Sequence, residues 1–245
     1  MLGEVLSDRH GVDPLSLLHL ESHVERRGAY QGGDVEVQLS RPRIQDTRAG
    51  RRMELDATVL EGARAIAWLQ QTFLIRRVDE GVPQFRDSAS TPLPPITGVS
   101  LERSRQIVNT QLAAPLRLDA FALASGDLNP IHSDDALAAL AGLEAPIVHG
   151  QWTAAAVGAL LGDGLSQVQA RFLAPVRRGE TLTVTAEVVA RIAGDDIIEA
   201  RAVSERGPVL SLKARRAAPT TALVFPGQGC QRPGMGMEGY ARSVA

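Results

Sequence analysis

The feature that most limits what this chain can become is a change of hydrophobic period in its second half. The stretch HGQWTAAAVGALLGDG (149–164) is apolar on nearly every side, and a helix of that kind is expected to be buried all round. Its small residues Ala154, Ala155, Ala156 and Gly158 would let a sheet wrap closely around it. Directly afterwards the period drops to two. GETLTVTAEVVARI places Leu182, Val184, Ala186 and Val188 on one face. DDIIEARAVSE and GPVLSLKARR repeat that alternation after turn residues. One buried helix followed by an antiparallel meander is an α+β plan.

Upstream of this unit, RQIVNTQ (105–111) reads as a short extended run, and APLRLDAFALAS as a helix with Pro115 near its first turn. Ser133 is placed to cap a further helix that carries Asp134 and Asp135 in its first turn and Gly142 past its end. Earlier still, VPQFRDSASTPLPPITG (82–98) contains four prolines and cannot form a regular helix or a central strand. Before it lies a partial internal repeat. LLHLESHVERRGAYQGGDVEVQLS shares its layout with LSQVQARFLAPVRRGETLTVTAE, and RRMELDATVLEGARAIAWLQQTFLIRR shares that of the last two strands, with Glu61-Gly62 at its hairpin. Only about fifteen residues precede the repeat, so it has no room for a helical section of its own. The expected organisation is a partial, non-catalytic repeat over 1–81, a Pro-rich linker over 82–104, a complete catalytic copy over 105–217, and a segment of different character over 218–245.

Composition excludes several functions. The net charge of −2 gives no electrostatic reason to expect nucleic acid or an acidic membrane surface. Cys230 is the only cysteine, so an intramolecular disulfide framework and a multi-cysteine metal site are both ruled out. The first residues show no apolar signal region, and the longest apolar run, near 152–161, is too short to span a bilayer. The expectation is a cytoplasmic chain.

The chemistry gathers in SGDLNPIHSDD (125–135), where Asp127 and His132 flank Asn129-Pro130. Proline fixes its own φ and biases the residue before it toward extended backbone, so the pair is a preset bend. The bend can bring a carboxylate and an imidazole to one side, as a reaction with two coordinated proton movements requires. The bland alternative is that both residues merely cap helices and fill a turn. His149 reads as a hydrogen-bonded structural histidine, and His10, His19 and His23 as surface or strand positions. No His/Asp cluster shows metal-ligand spacing. Arg177–Gly179 could attract a phosphopantetheine phosphate but reads better as a solvated turn. GQGCQRPGMG lacks the Gly-Lys-Ser/Thr of a phosphate loop, and no Gly-x-Ser-x-Gly elbow occurs.

Residues 121–138, FALASGDLNPIHSDDALA, resemble the motif of the MaoC-like family of R-specific enoyl hydratases and 3-hydroxyacyl dehydratases, which has the hot-dog fold. PIVHGQWT (146–153) resembles that family's approach to its central helix, and FLAPVRRGETL (172–182) its strand, turn and strand. The resemblance covers roughly 106–217. The last segment, VFPGQGCQRPGMGM, is similar to the opening of malonyl/acyltransferase domains, with Cys230 where those usually carry Ser. A dehydratase followed by such a domain is the order of type I fatty acid synthases.

The resemblance implies a double hot-dog with a truncated first copy and no cofactor or metal. It implies dehydration of (3R)-hydroxyacyl thioesters by Asp127 and His132, with Asn129 and Gly150 binding the substrate and its developing oxyanion. Gly150 opens the long helix, where backbone N–H groups lack partners and the dipole is positive. Gln228 would face an acyltransferase oxyanion site whose nucleophile is missing. The substrate would ride on acyl carrier protein or coenzyme A, and the partners would be other domains of a synthase; an oligomer is compatible with this reading. Two alternatives stand beside it: a separate R-specific enoyl-CoA hydratase, and an inactive structural or thioester-binding fragment. The first copy would help cover the acyl chain but leave part of its apolar face bare, making the chain prone to aggregate or to bind an upstream segment. Residues after about 220 would be poorly packed.

Overall fold

The computed structural model of the protein describes residues 12–76 and 99–217. The first of these stretches folds into β1 (Leu17–Arg26), β2 (Val35–Leu39), β3 (Arg43–Thr47), β4 (Gly50–Glu61) and β5 (Arg64–Ile75). The second holds β6 (Val99–Ala113), three helices, and then β7 (Leu165–Phe172), β8 (Thr181–Ile192), β9 (Asp195–Ser204) and β10 (Gly207–Arg216). The helices are α1 (Asp119–Ser125), α2 (Asp135–Leu140) and α3 (Gly150–Leu160).

All ten strands join one sheet in the order β2-β4-β5-β1-β7-β10-β9-β8-β6, with β3 paired on β4. The halves meet where β1 and β7 run antiparallel, from Glu21 opposite Arg171 to Glu25 opposite Gln167. From that seam outward, β1-β5-β4-β2 and β7-β10-β9-β8 follow the same path. The arrangement is consistent with a doubled unit, and the α+β class expected from the sequence is observed.

The meander follows the expected alternation. Leu182, Val184, Ala186 and Val188 on β8 are each at most 1% exposed, and they join α3 and β10 in one core. The hairpins turn where expected, after Glu61 and before Gly207.

Four local expectations need correction. Helix α3 is not buried all round: Thr153, Ala154, Val157 and Gly158 face the core, while Ala155, Ala159 and Leu160 are exposed. A single sheet layer covers one side of a helix, so the uniform apolar composition overstated its burial. Helix α1 starts at Asp119, several residues after Pro115, because Ala114 and Leu118 are first drawn into the core. The N-cap of α2 is Asp134, whose Oδ1 accepts from the Leu137 amide at 2.8 Å; Ser133 instead closes the preceding turn. Finally, β3 was not anticipated, since RIQDT is polar and wholly exposed. It is made by the sharp return at Gly50, whose φ of 128° and position 2.4 Å (as a Cβ) from the Ile75 carbonyl admit only glycine.

Strand β6 begins at Val99, inside the stretch read as a linker. The linker residues before it, and the segment 218–245 with Gln228 and Cys230, lie outside the described residues. Among the described residues no helix is long and apolar enough to cross a membrane.

Candidate active site

The motif is built by three consecutive local devices. Helix α1 stops at Gly126, whose φ of 69° reverses the chain. Asp127 Oδ1 then accepts from the Asn129 amide at 3.2 Å, and Asn129 Oδ1 accepts from the Ile131 amide at 3.2 Å. Pro130–His132 closes as one turn of 3-10 helix. Asp127 Oδ2 and His132 Nε2 finish 3.9 Å apart. That is too far for a direct hydrogen bond, and close enough for one oxygen lying beside the pair to contact both.

The two side chains differ in environment. The Asp127 side chain is 51% exposed and that of His132 only 10%. The Ile147 carbonyl lies 2.8 Å from His132 Nδ1. A carbonyl only accepts, so Nδ1 carries the proton and Nε2 presents its lone pair toward Asp127. Burial pushes the His132 pKa down from 6.5 to about 4, helped by His149 and Arg178 and opposed by the Ile147 carbonyl and Asp127. At neutral pH the ring is therefore a free base.

His149 is buried, and it is more than a filler. Its ring stacks on His132 at 3.7 Å, and its Nε2–H donates to the Asp127 main-chain carbonyl at 3.0 Å. It thus braces both motif residues, which agrees with the structural role expected of it. Arg178 donates to the His132 carbonyl and Arg177 pairs with Glu144. Arg178 thus ties the turn at 177–179 to the motif, while Arg177 and Gly179 are exposed, as expected of a solvated turn. Asn129 lies beside Asp127 with its side-chain oxygen occupied in the turn.

Gly150 is the first residue of α3, next to His149. A Cβ there would meet the Phe172 ring at 3.2 Å. Gly150, Asp127 and His132 line a cavity of about 450 Å³. The first half lines it too, with Val37, Leu39, Leu55 and Val59 among its residues.

Three wall residues were not expected at the site from the sequence. Gln71 and Gln151 had no local signal at all. His19, read as a surface or strand position, does lie on β1, but a bulge between His19 and Glu21 turns its ring into the cavity. There it sits 4.6 Å from Phe73 and 4.8 Å from Phe172, and burial lowers its pKa to about 4.

Asp127, His132 and His149 offer ligand atoms within 4.8 Å of one another, a convergence that the spacing in sequence did not reveal. They do not fit a metal ion well. The two imidazoles are stacked with their planes only 23° apart, so an ion in the plane of one ring lies well out of the plane of the other.

The sequence profile of the MaoC like domain matches residues 97–206. This chain carries a MaoC-like domain. All four site residues that lie in the described structure, Asp127, Asn129, His132 and Gly150, fall inside it. Among curated proteins, the fatty acid synthase beta subunit TOXC of Cochliobolus carbonum is 37% identical over 144 residues, which are 55% of this chain and 7% of that protein. Fatty acid synthase subunit beta of Saccharomyces cerevisiae is 33% identical over 156 residues, 60% of this chain and 8% of that protein. The chain thus spans less than a tenth of these relatives' length. Among solved structures, a MaoC-like dehydratase superposes with a TM-score of 0.70 at 17% identity, covering 88% of this chain and 80% of that one. The MaoC-like dehydratase of Phytophthora capsici superposes at 0.64 with 20% identity, covering 86% and 72%. These likenesses show that the MaoC-like domain sits within the hot-dog fold.

Proposed function

We propose that the MaoC-like domain dehydrates (3R)-hydroxyacyl thioesters to trans-2-enoyl thioesters, and catalyses the reverse hydration, within fatty acid synthesis. The observation that carries this reading is the pairing of a neutral His132 with Asp127 in an apolar cavity that Gly150 also lines. His132 Nε2 takes the α-proton, and the electron pair of that C–H bond becomes the new C=C bond. As the C3–O bond breaks, the imidazolium returns the proton to the departing hydroxyl, and water leaves. Asp127 accepts a hydrogen bond from that hydroxyl and stabilises the transient imidazolium. Charge that builds on the thioester oxygen is met by the free N–H groups at the start of α3. The apolar lining contributed by the first half suits an acyl chain.

Similarity to the fungal beta subunits supports a place among other domains of a fatty acid synthase, with acyl carrier protein as the physiological carrier and coenzyme A as a usable substitute. The test is hydration of crotonyl-CoA with analysis of product configuration. The (3R)-hydroxy product is expected. Formation of the (3S) product, or no hydration by the folded protein, would overturn the reading.

A further inference from the structure

The first half has no counterpart of the Asp-x-Asn-Pro-x-His motif, yet it reaches the active site through buried polar side chains. Gln151 follows Gly150 directly. Its Nε2 donates to Gln71 Oε1 on β5 at 2.8 Å and to Ser22 Oγ on β1 at 2.9 Å. Both acceptors are buried, Gln71 at 9% exposure and Ser22 at 4%. Gln71 and His19 both line the cavity. His19 Nε2–H donates to the Glu21 carbonyl at 3.1 Å, at the bulge in β1. Hydrogen bonds therefore tie the first turn of α3 to both β5 and β1. A second route converges on the same turn. The His19 ring packs against Phe172, and Phe172 is the group that a Cβ on Gly150 would strike.

Packing alone does not call for this arrangement. Buried amides lose their hydration and recover only a modest net gain when they pair, so apolar side chains of similar shape would hold the halves together as well. What a fully paired polar network adds is orientation. Here the oriented object is the first turn of α3, whose N–H groups have no partners within the helix. Donors of this kind act on a developing oxyanion only within a few tenths of an ångström of their working position.

We infer that Gln71, a residue of the first half, is a positioning residue for the reaction: acting through Gln151, it sets where Gly150 and the neighbouring amides stand. This rests on the dehydratase reading, and it makes the first half part of the catalytic apparatus as well as a wall for the acyl chain.

The test uses the whole 245-residue chain and crotonyl-CoA. Gln71→Leu and Gln151→Leu keep the volume and remove the bond. Each is expected to lower kcat by ~10–100-fold with KM changed less than ~3-fold, because the loss falls on the transition state. The double variant should be no slower than the slower single one, since both changes break the same link. Gln71→Glu keeps an acceptor oxygen for Gln151 and should turn over faster than Gln71→Leu. Should Gln71→Leu fail to fold, Gln151→Ala carries the same expectation, and alanine favours the helix at that position. Folded variants with wild-type kcat, losses that multiply in the double variant, or no recovery in Gln71→Glu would overturn the inference. A wild-type chain that hydrates no enoyl thioester would instead overturn the dehydratase reading on which it stands.

Discussion

Strands β8 and β2 occupy matching places in the two halves of the sheet, and both carry apolar residues at alternate positions. On β8 those residues are at most 1% exposed. On β2, Val35 and Val37 are 51% exposed and Leu39 is 41% exposed. The difference lies in what covers the sheet. Helix α3 seals the second half, where among the described residues twenty buried ones form one core; the cluster around Met53 in the first half has four. Among the described residues, the first half has only the short 3-10 turn Pro14–Ser16 besides its strands. Val37 and Leu39 of that exposed strand line the same cavity as Asp127 and His132. One half has used its concave face to make a core, and the other has kept that face as space.

The largest expected effects test whether proton transfer belongs to the second half alone. Asp127→Asn and His132→Ala should each slow crotonyl-CoA hydration by ~10²–10⁴-fold, the usual worth of a positioned acid or base. Circular dichroism and thermal melts should show the fold retained. Near-wild-type turnover in either folded variant would break the assignment.

Stability should divide in the same way. Leu210 is fully buried in the larger core, and Leu210→Ala should cost about 2–5 kcal/mol in urea titrations. Val37→Ala on the exposed β2 should stay within about 0.5 kcal/mol. Native-state hydrogen exchange should accordingly be slower in β8, β9 and β10 than in β2 and β3. The reverse order would show that the first half is the better-sealed part.

The pH dependence follows from the histidine. In the unfolded chain His132 titrates near 6.5, and in the folded protein burial lowers this to about 4. Between those values the unfolded state binds more protons than the folded one. Stability is therefore fully present above about pH 6.5 and declines as pH falls toward 4. For this nearly buried group the loss is on the order of 3 kcal/mol. His19 adds a loss of the same sign. His132→Gln should flatten the profile of urea stability against pH over this range, and an unchanged slope would refute the claim. The acid limb of kcat/KM should likewise lie near pH 4.

The smallest effect concerns Gly150, where α3 meets Phe172 of β7. Its backbone is ordinary helix, so the obstacle to a side chain is contact and not φ. Gly150→Ala places a methyl 3.2 Å from the Phe172 ring, which must shift by a few tenths of an ångström. A loss of roughly 10-fold in kcat with the melting temperature nearly unchanged is expected. A milder result would mean that Phe172 yields freely.

Local order was legible wherever a few adjacent residues decide it. The alternation of Leu182, Val184, Ala186 and Val188 named a strand and its buried face. Gly142 ended a helix, with φ at 73° as a C-cap requires. The Asn129-Pro130 bend brought Asp127 and His132 together because the intervening turn is held by its own side-chain and main-chain bonds. Such features depend on propensity and steric limits that act over a handful of residues. Tertiary structure alone decided the rest. Which side of α3 is buried depends on where the sheet lies. His19 reaches the cavity through a bulge that no alternation marks. Gln71 and Gln151 meet across eighty residues of sequence, and no local pattern gives a glutamine its partner. Their pairing exists because β1 and β7 happen to be neighbours in the sheet, and strand order is settled by the closing of a whole core, a choice that no short window of sequence contains.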